Sequence, residues 1–214
     1  MGTPNPKQRS AQALQFAVLV LAAGIVTGLL HELGHCLFYW LQGIPAAMSF
    51  TKEFPLRDIT AHQYAVGSSG GPLMNIFVII GAYWLFQRYK ENPRSANLLS
   101  ALIVASAFYF ILRGLLALLK RSGGELEDAA GLIGLNYLFV VGLFFVLTVT
   151  ILYLWVTMSG IAVTLKKSVY FLGLFVAYLV MMVIVESIDR RLVWYEFPAI
   201  KIHDGRVYNL PPRK

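Results

Sequence analysis

Charge is missing from most of this chain. No Asp, Glu, Lys or Arg occurs from Ser10 to Leu30, Ile59 to Gln87, Ser95 to Leu112, Ala129 to Leu165 or Ser168 to Val185. Charged residues make up 14% of the 214 positions, against roughly 25% in an ordinary soluble domain. A helix needs about 20 mostly apolar residues to cross about 30 Å of hydrocarbon at about 1.5 Å per residue. Each charge-free stretch meets or approaches that length, so the chain reads as an integral, multi-pass membrane protein.

Cysteine is nearly absent as well. The single Cys36 excludes an internal disulfide framework and any zinc cluster built on thiolates. Acidic residues are few, 11 against 18 basic ones, for a net charge of +7. The basic residues fall between and after the apolar runs, which makes the headgroups of a lipid bilayer their expected partner and leaves no nucleic-acid interface. They also fall on both sides of the expected spans, so the positive-inside rule assigns no orientation. Internal repeats and low-complexity tracts are lacking.

The expected architecture is all-α and polytopic, with about five transmembrane helices near residues 13–41, 71–87, 96–119, 131–157 and 168–188, and a small β-element after the first. Residues 1–192 read as a single transmembrane domain and 193–214 as a short polar tail. Lys7 and Arg9 ahead of an apolar run give the first stretch a signal-peptide look, but the run continues to Leu41, too long for a signal core, and reads as an uncleaved span. Ser159-Gly160 is expected to close the fourth helix. Between Gln42 and Gly70, Met48, Phe50 and Phe54 recur at even spacing among Gly43, Pro45 and Pro55. That alternation predicts a short strand, paired with Gln63–Val66.

His31-Glu32-Leu33-Gly34-His35 is an H-E-x-x-H motif. Four residues apart on a helix, the two imidazoles share one face and can bind one Zn²⁺ ion. Glu32 sits on the adjoining face, within reach of metal-activated water as a general base. Isolated matches to this pattern occur by chance in soluble helices. Inside a membrane span each ionisable side chain costs about 2.5–3.5 kcal/mol, so three in five positions call for a compensating metal. A third protein ligand is needed. His62, His203, Glu125, Glu127, Asp128, Glu186 and Asp189 are of the right type. Counting crossings puts Asp128, and the Gly71–Asn75 segment, on the same side as His35. Glu186 and Asp189 share that side but read as interfacial partners of Arg190 and Arg191. Cys36, turned about 100° from His35, reads as a packed thiol, and Arg113 as a cation reaching the interface near Lys120.

With these segments in view, the chain resembles the site-2 protease family of intramembrane zinc metalloproteases over roughly residues 13–135. That family follows its H-E-x-x-H helix with an Asp in an Asp-Gly-Gly-His-Ile-Leu segment. The counterpart here is Asp128-Ala129-Ala130-Gly131-Leu132-Ile133, with alanines replacing both glycines. The resemblance implies Asp128 as third zinc ligand, and Glu127 and Glu125 stay open beside it. Gly70-Gly71-Pro72-Leu73-Met74-Asn75 is similar to the family's Gly-x-x-x-Asn segment, which implies that Asn75 helps hold substrate; helix packing is the plainer role for the same residues.

The resemblance implies a metalloendopeptidase that hydrolyses peptide bonds of transmembrane protein substrates with Glu32 as general acid/base. A strand after the catalytic helix could add an unwound substrate to its edge. The expectation from another class is a non-catalytic zinc-binding membrane scaffold or chaperone, against which the intact Glu32 argues. Membrane proteases of the prenyl-protein or heat-shock type use a Glu as third ligand in a larger catalytic domain. A zinc transporter would need polar residues along the fourth and fifth spans, which offer almost none before Glu186.

Overall fold

The computed structural model describes residues 5–120, 125–161, 163–194, 200–201 and 207–208. Helix α1 spans Pro6–Leu41 and starts on a capping box, in which the Asn5 side chain accepts from the Lys7 and Gln8 amides while the Gln8 side chain returns to the Asn5 amide. Strands β1 (Ala46–Met48) and β2 (Glu53–Pro55) follow, then α2 (Ala61–Tyr89), α3 (Pro93–Lys120), a short α4 (Glu125–Leu132), α5 (Tyr137–Met158) and α6 (Leu165–Leu192). Two short strands in the tail, β3 (Ile200–Lys201) and β4 (Val207–Tyr208), pair antiparallel. Five of these helices carry segments of 22 to 32 residues that are long and apolar enough to cross a membrane.

Helix α3 is the centre of the bundle. Ala101, Ile103, Val104, Ala105, Ala107, Phe108 and Phe110 are buried against Val20 and Ala23 of α1, Ile79, Ala82 and Phe86 of α2, Ile151 and Trp155 of α5, and Leu174 and Tyr178 of α6. Trp155 donates its indole N–H to Ser100 Oγ at 3.0 Å, which removes a polar orphan from this core. Helices α5 and α6 lie outside, and their outer faces show Leu143, Val146, Val149, Val169, Leu172, Val176, Val180 and Val183. A bilayer solvates such faces.

Three boundaries differ from those expected. Helix α2 begins at Ala61, not at 71, because Thr60 and Gln63 form a capping box (3.0 and 3.1 Å). The Gly67-Ser68-Ser69-Gly70-Gly71-Pro72 run, which looks like a loop in sequence, is helical and buried. Small residues are needed there: α1 and α2 cross at Gly34 and Gly70, where a Cβ on Gly34 would lie 2.5 Å from the Gly70 carbonyl oxygen. Consequently Gln63–Val66 lies in the first two turns of α2 and, among the described residues, pairs with no strand. The hairpin closes within itself, Ala46 opposite Pro55 and Met48 opposite Glu53. Finally, the expected fourth span divides. Gly134 at φ +67° and the Asn136 cap separate α4 from α5, while Gly160 at φ +62° follows the end of α5 as expected.

Candidate metal centre

The last three turns of α1 carry His31, Glu32 and His35 into the protein, and all three are buried. The two imidazoles stand nearly perpendicular, at 89°, with their Nε2 atoms 3.1 Å apart. Two nitrogens held tetrahedrally at about 2.0–2.1 Å from one zinc ion would be separated by about 3.3 Å. Helix α2 makes this approach possible by presenting Gly71, where any Cβ would collide with both rings.

Partners on α2 fix the tautomers. His35 Nδ1 lies 2.9 Å from the Gly67 carbonyl oxygen. The Gly71 N–H also approaches Nδ1, at 3.2 Å, but the shorter contact is to an oxygen that can only accept. Nδ1 therefore carries the hydrogen and Nε2 presents its lone pair. Asn75 Nδ2 lies 3.1 Å from His31 Nδ1 and Asn75 Oδ1 has no hydrogen-bond partner among the described residues, so a half-turn of the amide exchanges the two atoms and satisfies both groups. With Oδ1 turned to the ring it accepts an Nδ1–H and leaves Nε2 unprotonated, the form a metal requires.

The third corner belongs to Glu125, the first residue of α4. Its Oε2 is 3.1 Å from His31 Nε2 and 3.8 Å from His35 Nε2, and Arg113 Nη2 donates to its Oε1 at 2.9 Å. Burial raises the Glu125 carboxyl pKa, but the Arg113 guanidinium outweighs it and holds the group well below the usual carboxylate range. Two imidazole lone pairs and a carboxylate meeting at one point form a set of acceptors that a cation satisfies, and His31, His35 and Glu125 can hold a metal ion.

Asp128, the expected third ligand, is not in this group. Its Oδ2 accepts a hydrogen bond from Ser68 Oγ at 2.9 Å, and Glu127 lies on the exposed side of α4. Three residues make slightly less than one helical turn, so Asp128 follows Glu125 along one side of α4, Glu125 reaching His31 and His35 and Asp128 reaching Ser68. His62 is exposed in the first turn of α2, and His203 lies outside the described residues. Glu186 pairs with Arg190 at 2.8 Å. Asp189 instead accepts from Ser49 Oγ, the Thr51 N–H and hydroxyl, and the Trp194 indole at 2.6 to 3.2 Å. Cys36 is a packed thiol that donates to the Ala47 carbonyl.

Three neighbours escaped the sequence reading. Glu53 of β2 comes so close to Glu32 that Glu32, His35 and Glu53 offer ligand atoms within 4.8 Å of one another. Tyr109 of α3 brings its hydroxyl to 2.9 Å from His31 Nε2. Arg113, expected at the interface, turns inward to Glu125 and Tyr109. Only Arg113 carried a signal, as a lone charge next to an apolar run; no motif marks Tyr109 or Glu53. Tyr109, Arg113 and Glu125 line a small opening with Pro72, Phe110 and Leu126. Comparison with protein-family models, curated proteins and solved structures returns no match.

Proposed function

We propose that this chain is an integral-membrane zinc metalloendopeptidase whose ligands are His31, His35 and Glu125 and whose general acid/base is Glu32. One observation carries the reading: two histidines with Nε2 atoms 3.1 Å apart converge with a buried carboxylate, while a second carboxylate, Glu32, lies beside them with Oε2 lacking a hydrogen-bond partner among the described residues. A structural zinc site fills all four positions with protein ligands, whereas a catalytic site keeps one open. Three ligands and an adjacent base fit the second pattern.

Bound zinc would polarise the scissile carbonyl and make water nucleophilic near neutral pH. Glu32 takes the proton as water adds to the carbonyl carbon and returns it to the amine as the C–N bond breaks. Asn75 orients His31, and its Nδ2 donor remains for a substrate carbonyl when Oδ1 faces the ring. The short β1–β2 hairpin beside the site supports binding of an extended, unwound segment. The substrate class that fits five apolar helices around such a site is a single-span membrane protein or its membrane-bound stub. The likeness of the His31–His35 and Gly70–Asn75 segments to site-2 proteases supports the same activity, with Glu125 in place of the Asp of that family.

The test is cleavage of a single-span reporter co-reconstituted with the zinc-loaded protein. Cleavage by the wild type and at least a 10³-fold loss in Glu32→Gln, with zinc retained, is the expected result. A wild type that holds zinc and leaves a panel of single-span reporters intact would contradict peptidase activity and turn the reading to a zinc-binding scaffold.

A further inference from the structure

Beyond its ligands and base, the site holds an oriented hydroxyl. Tyr109 and Arg113 lie four residues apart on α3 and therefore share a face. Arg113 Nε donates to the Tyr109 hydroxyl oxygen at 2.9 Å, and its guanidinium lies 5.2 Å from the ring centroid. The Tyr109 ring packs on His31 with centroids 4.8 Å apart. With Arg113 occupying the oxygen's acceptor side, the O–H is directed to His31 Nε2 at 2.9 Å and Glu125 Oε2 at 3.5 Å.

Both of those acceptors are metal-donor atoms in the site described above. A cation on His31 Nε2 takes that nitrogen's single lone pair and leaves the Tyr109 O–H only the long 3.5 Å contact to Glu125 Oε2. A buried donor so poorly met is costly, so an oxygen that accepts from it more strongly as it gains charge is stabilised selectively. Tyr109, Arg113 and Glu125 line a small opening at this point, which is where the proposal seats the carbonyl oxygen.

We propose that Tyr109 is a catalytic hydrogen-bond donor, its O–H directed at the scissile carbonyl oxygen as that oxygen gains negative charge, and that Arg113 is the positioning residue that aims both Tyr109 and the Glu125 carboxylate. The phenol keeps its proton throughout. The C–O bond forms and the C–N bond breaks with the proton carried by Glu32, and Tyr109 contributes only stabilisation of the charged oxygen.

This inference rests on the peptidase reading, and the experiment separates the two. Zinc-loaded wild type, Tyr109→Phe, Arg113→Lys and Arg113→Gln are compared in reporter cleavage, in zinc affinity by chelator competition, and in binding of a phosphinic peptide that mimics the tetrahedral oxyanion. Tyr109→Phe keeps the ring and its packing. It is expected to lower kcat about 10²-fold, weaken phosphinic-peptide binding by a similar factor, and leave KM and zinc affinity close to wild type. Arg113→Gln is expected to weaken zinc binding about 10–100-fold, with partial recovery in Arg113→Lys. Unchanged kcat and phosphinic-peptide affinity in Tyr109→Phe would overturn the proposal, and so would a loss of zinc parallel to the loss of activity. A wild type with neither zinc nor cleavage would overturn the peptidase reading itself, before any variant is compared.

Discussion

At the scale of single residues, two acids on one short helix have different fates. Glu125 faces His31 and His35, held by Arg113, while Asp128 accepts from Ser68. Glu125→Gln is therefore expected to leave Arg113 unbalanced and to weaken zinc binding by more than 10²-fold, measured by chelator competition, whereas Asp128→Asn should retain zinc within a few-fold. The His31-Glu32-x-x-His35 cluster was legible in sequence because helical periodicity alone puts both imidazoles on one face. The acid that meets the two imidazoles was not, because whether Glu125 or Asp128 does so depends on how α4 docks against α1 and α2. No local spacing encodes that docking. Gly71 carries a second prediction at this scale. A methyl there would collide with both imidazoles, so Gly71→Ala should lose zinc while its helical circular dichroism stays unchanged.

At the scale of elements, the hairpin is held by a residue far away in sequence. Asp189, near the C-terminal end of α6, accepts hydrogen bonds from Ser49 and Thr51 in the β1–β2 turn, and β2 carries Glu53 to Glu32. Hydrogen bonds to a charged group each contribute about 1.5–3 kcal/mol. Asp189→Ala should consequently speed amide hydrogen exchange in residues 46–55 by at least 10-fold while leaving the middle of α3 protected. Equal exchange in both proteins would mean that the hairpin stands without α6. The strand was visible in sequence through its alternating apolar residues. Its partner was misassigned because Thr60 and Gln63 cap a helix exactly where the second strand was expected. The glycine and serine run that followed had the composition of a loop. Only the close crossing of α1 and α2 explains why it is helical, and that crossing is a property of two helices together.

At the scale of the whole molecule, five charge-free runs translate into five long helices, the most readable feature of the chain. Their outer faces remain apolar where a soluble bundle would be polar: Phe77, Leu138, Phe139, Val169 and Val183 are all exposed. The protein should accordingly stay with the membrane pellet through alkaline carbonate extraction; release to the supernatant would contradict a membrane-spanning arrangement. Burial is concentrated around α3, so the metal-ligand cluster is enclosed by α1, α2, α3 and α4 while α5 and α6 face outward. This arrangement holds His31, His35 and Glu125 away from the outer apolar faces and places Arg113 beside them.

The central claim is most directly tested by the zinc content of detergent-purified wild type, Glu125→Ala, Asp128→Ala and Glu32→Gln prepared in metal-replete medium. The account predicts one zinc per wild-type chain, retention in Asp128→Ala and Glu32→Gln, and loss in Glu125→Ala. Loss in Asp128→Ala with retention in Glu125→Ala would return the third corner to Asp128, and a wild type without zinc would contradict the metal centre altogether.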